Sequence, residues 1–561
     1  MATEQKTKDF ISNRIQNILD SYKYIDVSLT NYLKRVILPS FIFVTLLFGI
    51  GFTINNQIAT VLILFTSGFI LFLVSIYPIV KHTRDVNEIN SKFHLFVTQL
   101  TILSLSNSDR VEVFRIIANE EDYGALAKEI KVLVSLIDAF NLSLDDAARR
   151  RSQHTKSELL ADFYEKLSYS VGEGQSLSEF LLSEQEDVRD QFSSKYNSKV
   201  KNIEMMTELF ISVIMASSFL FTFAILVPFL TGVDAQLLMT AVLFIFVVTQ
   251  LLFIVIINSI APKDEFWYDS KGITTRKKYL IKGTTVIGLI ASVSLTVGLF
   301  LIQPPVELYF YPIIAVLPLM IPTLGIIYSE RSIKKVEQQY PSFIRSLGSV
   351  ESVKQTSTVD VLKSLKEKEF KTLNRYIETL YRRLQLSVDN QESWNLFSAQ
   401  IGSNIIKVFS DMYVYGRETG GSPKQLGEII SRNYRFILQL RENRQTINQK
   451  LMGTMYGITI ATSSVFFIAL EILQVLIEVT EDIPSNVLVG DILNTAVYNY
   501  AYIELVVFVA ILFNALAVST IIRISQRKFI GGIVIHFMFI VLLSFSIGYG
   551  INYVATEVLT L

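Results

Sequence analysis

Five stretches of the chain, residues 36–80, 202–262, 283–330, 451–522 and 529–561, are without lysine or arginine, and all 51 basic residues fall between them. Inside those stretches apolar residues run for about 20 positions at a time, the length a helix needs to cross a hydrocarbon core roughly 30 Å thick. The first four are each long enough for two such helices and a short turn, and the fifth holds one helix and a tail. Odd and even spans then return every basic segment to one side, which is the positive-inside bias. The pattern predicts an all-α, polytopic membrane protein with nine transmembrane helices, at 37–54, 58–80, 208–230, 237–261, 280–302, 308–328, 455–477, 499–522 and 529–553. It places the N-terminus in the cytosol and the C-terminus outside.

The predicted order is a cytosolic segment 1–36, helices 1–2 within 37–80, a cytosolic helical domain at 81–207 and helices 3–4 within 208–261. A cytosolic loop at 262–279 follows, then helices 5–6 within 280–328, a second helical domain at 329–454, helices 7–8 within 455–522 and helix 9 at 529–553. The outward connections, INNQ, TGVDAQ, QPPVE and TEDIPSNVLVGD, are short and carry no basic residue, which leaves little for an extracellular ligand. In the N-terminal segment Ile11, Ile15, Ile18, Leu19 and Tyr22 recur at helical spacing, which suits an amphipathic helix on the inner leaflet or one packed on the cytosolic domain. No cleaved signal peptide is expected there. Pro312, Pro318 and Pro322 in the sixth span each remove a backbone donor and predict a bend.

Composition narrows the chemistry. The chain has no cysteine, so disulfides and thiolate metal sites are excluded. Its formal net charge of zero hides an imbalance, because nine acidic residues lie in or beyond the predicted spans and leave the cytosolic face about 9 charges positive. Such a face suits an anionic lipid surface or an acidic partner, and no nucleic-acid partner is expected. The four histidines, His82, His94, His154 and His536, are scattered and none has a second ligand at helical or finger spacing. His536, in the ninth span, reads as a buried, hydrogen-bonded side chain. A phosphate loop would need Gly-x-x-x-x-Gly-Lys-[Ser/Thr], and no such run occurs; Gly283 to Gly288 is followed by Leu289. No catalytic, cofactor or metal site is therefore expected, and any energy must come from a partner.

The two cytosolic domains look related. Phe140 opens FNLSLDDAARRRSQHTKSELLADFYEKLSYSVGEGQSLSEFL, and Leu384 opens LQLSVDNQESWNLFSAQIGSNIIKVFSDMYVYGRETGGSPKQLGEII. Aligned, Leu142, Ser143 and Asp145 meet Leu386, Ser387 and Asp389, and the two glycine-containing segments meet after a gap of about two residues. Ser143-x-Asp145 and Ser387-x-Asp389 read as helix N-caps. Gly172-Glu173-Gly174 and Glu418-x-Gly420-Gly421 read as turns joining a helix pair, with the glycines free to take positive φ. The chain is thus read as a tandem duplication of two spans, helical domain and two spans, with a ninth span added.

That layout, carried by those two segments, resembles the inner-membrane platform proteins of type II secretion and type IV pilus machines, a family defined by its F domain. The nine-span length resembles its archaeal branch, above all the platform of the archaellum, with other archaeal adhesive pili as the alternative. The resemblance implies a hexameric cytosolic secretion-type ATPase as partner, filament subunits of archaellin or pilin type as cargo, a homodimeric platform, and a role in filament assembly and possible coupling to rotation.

Charge placement suggests where such a partner would bind. Arg149, Arg150 and Arg151 form a basic cluster that the second domain lacks, and Arg432 and Arg435 lie on a predicted long helix, 425–450, that feeds the seventh span. Arg441 and Arg444 continue that helix, which reads either as a transmitter of motion or as a stalk whose arginines meet lipid headgroups. Lys363, Lys366, Lys368 and Lys371 alternate with Glu367 and Glu369 and read as a solvated face. Two acids, Glu471 and Glu504, fall within spans, and polar helix contacts are expected of them rather than conduction. A secondary transporter is the rival class, since transporters are also built by duplication.

Overall fold

The computed structural model describes residues 85–106, 109–155, 157–262, 267–268, 276–365, 370–481, 499–526 and 530–559. The first two predicted spans, the amphipathic N-terminal segment, His82, Lys366 and Lys368 lie outside the described residues. Among the described residues every regular element is helical, and an isolated antiparallel bridge pairs Trp267 with Ser403. Among the described residues seven helices are long and apolar enough to cross a membrane, and each coincides with one of the last seven predicted spans.

The first domain consists of α1 (85–104), α2 (Arg110–Ala118), α3 (Ala125–Phe140), α4 (Leu144–Ser152), α5 (Glu158–Gly172) and the start of α6 (Leu177–Thr231). Its core is aromatic: Phe93, Phe96, Phe163 and Phe180 meet at ring separations of 5.5–5.8 Å. Each fully buried ring contributes about 1.5–3 kcal/mol of burial free energy, and aromatic pairs add more. The α6 helix then runs 55 residues without interruption from this domain through the third span. Gly232, at φ 67, ends it, and Asp234 caps the returning α7 (Ala235–Ile260) by accepting from the amides of Gln236 and Leu237.

The second half begins with α8 (Arg276–Ile302). The sixth span then breaks as its prolines predict: α9 (Phe310–Val316) and α10 (Met320–Lys354) are separated by a 3₁₀ turn over Leu317–Leu319 that contains Pro318. The α10 helix leaves the membrane and becomes the first helix of the second domain, followed by α11 (Thr358–Leu365), α12 (Asn374–Gln385), α13 (Asn390–Ile401), α14 (Asn404–Glu418) and the start of α15 (Pro423–Glu481). Tyr340, Phe343, Trp394, Phe397, Phe409, Tyr413 and Tyr434 fill its core. At 59 residues α15 is continuous into the seventh span, as the reading of 425–450 anticipates. It lies so close to α10 that the Cα of Gly427 sits 3.2 Å from where a side chain on Gly348 would begin. The eighth and ninth spans, α16 (Tyr500–Gln526) and α17 (Ile533–Leu559), pack on α15 and complete the membrane core with α6 and α7.

The duplication is sharper in the structure than in the sequence, and its register differs. Ser143 caps α4 by accepting from the Asp146 amide, whereas Ser387 caps nothing: it has φ 56, and Asp389 caps α13 by accepting from the Glu392 amide. The equivalent of Ser143 is therefore Asp389, and that of left-handed Asn141 is Ser387. Asp145 lies in the first turn of α4 and is not its cap. With this correction no gap remains. Ser157 and Ser403, both N-caps, follow at the same offset, and each donates at 2.6 Å to a side chain on the domain's first helix, Asn90 and Glu337 respectively. Gly174 and Gly420 both adopt φ 89.

Candidate docking surface and the domain junction

Each domain ends, away from the membrane, in the glycine turn between its last two helices. In the first, Glu173 N donates to Tyr169 O, Gly174 N to Val171 O and Gln175 N to Ser170 O; in the second, Thr419 N to Tyr415 O, Gly420 N to Arg417 O and Gly421 N to Gly416 O. These are the same three bonds, made at a constant offset. Only Gly174 and Gly420 need a glycine for its positive φ. Gly172 is instead the last residue of α5, and Gly421 must be small because a side chain there would begin 2.6 Å from the Gly416 carbonyl. Glu173 caps α5 and is exposed, while Glu418 ends α14 and accepts from Asn390 Nδ2 at 3.2 Å.

The arginine candidates separate into different environments. Arg149 and Arg150 are exposed, and Arg149 pairs with Asp146 at 2.9 Å. Arg151 turns inward to an ion pair with Glu129, with its side chain 13% exposed. Arg432 is exposed on α15, and Arg435 donates to Ser431 Oγ one turn back. Neither Arg441 nor Arg444 presents itself as a headgroup contact. Arg441 pairs at 3.3 Å with buried Glu337, and buried Arg444 donates to Gln526 O and covers the Tyr196 ring.

Sequence reasoning did not anticipate how the two domains join. Ile102 of α1 is buried in the core of the second domain, 2.7 Å from where a side chain on Gly416 would begin. Beside it lies a polar cluster. Asp411 pairs with Lys407 and accepts from Gln391 at 3.1 Å, Lys407 lies over the Tyr268 ring, and the Tyr415 hydroxyl donates to Glu120. Burial pushes the Asp411 carboxyl up to about 6 against the opposing pull of Lys407, and burial likewise raises that of Glu120. Tyr268 arrives from the predicted 262–279 loop, pinned where its amide donates to Gly402 O at 3.1 Å.

At the membrane end a second polar knot ties four helices. Arg523 of α16 donates at 2.6 Å to Glu330 of α10, both nearly solvent-free, and Gly532 packs against the guanidinium. Asn448 of α15 donates to Ser525 O at 2.8 Å, and His536 of α17 is buried with the Tyr456 hydroxyl 2.6 Å from its Nδ1. Further out, Glu471 accepts from Tyr309 at 3.1 Å and Asn552 at 3.0 Å, which are polar contacts between helices. Among the described residues no group of three or more His, Asp or Glu side chains is placed to hold a metal ion.

Long continuous helices that carry twin α-domains out of a multi-pass membrane bundle define a class, and residues 96–228 match the family "Type II secretion system (T2SS), protein F". Over 553 residues the chain is 30% identical to "Flagella accessory protein J" of Methanocaldococcus jannaschii, covering 97% of this chain and 98% of that one. It is also 28% identical over 556 residues to "Flagella accessory protein J" of Methanococcus voltae, covering 97% of this chain and 98% of that one. The chain belongs to the flagella accessory protein J family, and it is a multi-pass protein of the cytoplasmic membrane.

Proposed function

We propose that this protein is the membrane platform of an archaeal type IV pilus-like machine, with the archaellum as its filament. In this role it offers its two domains to a hexameric cytosolic secretion-type ATPase and passes the ATPase's motion to membrane helices where filament subunits are added or turned. The observation that carries the reading is the continuity of α6 and α15: each runs unbroken from a helical domain through a span, so a push on a domain is delivered to the membrane with no flexible joint, while α10 connects the second domain to the sixth span as far as its Leu317–Leu319 turn. Exposed Arg149, Arg150, Arg432 and Arg435 are candidate contacts for acidic groups on that ATPase. Arg151, held by Glu129, supports the fold of the first domain under this reading.

The test is copurification in mild detergent with the secretion-type ATPase of the same organism, joined to complementation of a strain lacking this protein. Capture of the ATPase and restored filaments support the reading. Restored filaments with no capture under any nucleotide condition would remove the ATPase as a direct partner.

A further inference from the structure

Phe140 and Leu386 are equivalent residues, 246 positions apart, and each is left in solvent, 70% and 78% exposed. Phe140 is the last residue of α3 and Leu386 the C-cap of α12, and each is followed by a left-handed residue, Asn141 at φ 53 and Ser387 at φ 56. Two residues further on stands the cap of the next helix, Ser143 or Asp389. The same local geometry thus holds an apolar side chain outward twice.

Lipid does not account for these exposures as it does for Phe219, Ile287 or Leu301 on the spans. From Leu177 to the predicted membrane boundary at 208, and from Pro423 to the boundary at 455, α6 and α15 each rise about 45–50 Å at 1.5 Å per residue. The knobs stand at those far ends. Asp145, in the first turn of α4, lies 3.7 Å from where a side chain on Gly172 would begin, and Asn390, which opens α13, bonds to Glu418. A lone exposed apolar residue means little. Here, however, the exposure survived while neighbouring equivalents diverged: Tyr169 is 67% exposed, whereas its counterpart Tyr415 is packed against the other domain. Charge was kept as well, since Asp146 and its equivalent Glu392 both place a carboxylate in the first turn of the following helix. Glu173 adds another at the first tip and Glu418 at the second.

We infer that Phe140 and Leu386 are twin anchors that enter two copies of one receptor, an apolar socket whose rim carries lysine or arginine opposite Glu173, Glu392 and Glu418 and acidic groups opposite Arg149 and Arg150, on two subunits of a symmetric homo-oligomer. The inference rests on the ATPase reading above and names the grip. Two like anchors on one chain are matched by a receptor that symmetry repeats, and engaging both raises apparent affinity by effective concentration.

The test uses the full-length protein in detergent, the secretion-type ATPase as probe, and the variants Phe140→Ser, Leu386→Ser, both together, and Val132→Ser as an exposed control on α3. Each single variant is expected to weaken apparent affinity about tenfold or more, the double to abolish binding and the control to change nothing, all with unchanged elution volume and melting temperature. Wild-type affinity in either single variant overturns the twin anchor while leaving the platform reading intact. Absence of binding by the wild-type chain overturns the docking reading, and the anchors with it.

Discussion

Asn443 donates its side-chain amide to the side-chain oxygen of Asn197 at 3.0 Å, and the two residues are 246 positions apart, which is the repeat offset itself. Lys450 and Glu204 repeat the relationship, paired at 3.1 Å across the same 246 positions. Equivalent residues touch each other only on a two-fold axis. The spacing of seven between the two contacts is two helical turns, so both fall on one face of α6 and of α15. A local pseudo-two-fold therefore runs along the paired stalks. Away from it the symmetry fails, because Ile102 is buried in the core of the second domain, whereas its counterpart Gly348 packs against Pro423 and Gly427 of its own domain.

The axis makes a direct prediction. The natural chain has no cysteine, so Asn197→Cys and Asn443→Cys together supply a unique pair. A short bis-maleimide should link them within one chain, and a protease cut between the halves should then fail to separate the fragments on a denaturing gel. Linkage that joins two chains in place of two halves would contradict the intramolecular axis.

Gly348 on α10 sets the distance between that helix and α15. An added Cβ would overlap the Pro423 carbonyl and crowd the Gly427 Cα at 3.2 Å, and backbone cannot move aside as a side chain can. Gly348→Ala should therefore destabilise the second domain by about 1–3 kcal/mol, the usual cost of overpacking. Gly325→Ala, on the same helix with open space around it, should be neutral apart from a small gain in helix propensity. Thermal unfolding of the two variants in one detergent checks the contrast, and equal midpoints would refute it.

Much of this architecture was legible because hydrocarbon imposes a length and a composition on any span, and because Pro318 and the glycine turns act locally. The register of the repeat was harder to read. A shared Leu-Ser-x-Asp spelling pulled the alignment two residues aside, since Ser and Asp cap a helix equally well and the structure uses Ser143 in one domain and Asp389 in the other. Adjacent arginines misled for a related reason. Successive helical residues point about 100° apart, so Arg149, Arg150 and Arg151 never formed one patch, and Arg151 faces Glu129. The Ile102 junction depends on contacts some 300 residues apart in sequence, and no local pattern announces it.

Arg523 and Glu330 form an ion pair that is almost fully buried at the end of the membrane bundle nearest the two domains. Breaking such a pair from one side leaves a charge without its main partner and costs about 3–5 kcal/mol, whereas replacing both by apolar residues is often close to neutral. Arg523→Met should shorten the half-life of the detergent-solubilised protein at elevated temperature, and Arg523→Met with Glu330→Leu should recover most of it. If the double variant is no better than the single, the pair is not the coupled unit its geometry describes.

The junction cluster should make stability depend on pH in a set direction. Burial holds the Asp411 carboxyl at about 6, above its ordinary 3.8, and Glu120 is shifted upward in the same way. Between those limits the folded state binds protons that the unfolded chain does not, so unfolding free energy falls as pH rises through 6 and is regained on acidification. The melting temperature in detergent should accordingly rise as pH is lowered from 7.5 to 5.5. In Asp411→Asn the slope should flatten, although loss of the Lys407 partner lowers stability throughout. Tyr415→Phe, which removes the hydroxyl that donates to Glu120, should steepen the remaining dependence by raising that carboxyl further. A slope of the same size in wild type and Asp411→Asn would show that the domain junction does not carry the effect.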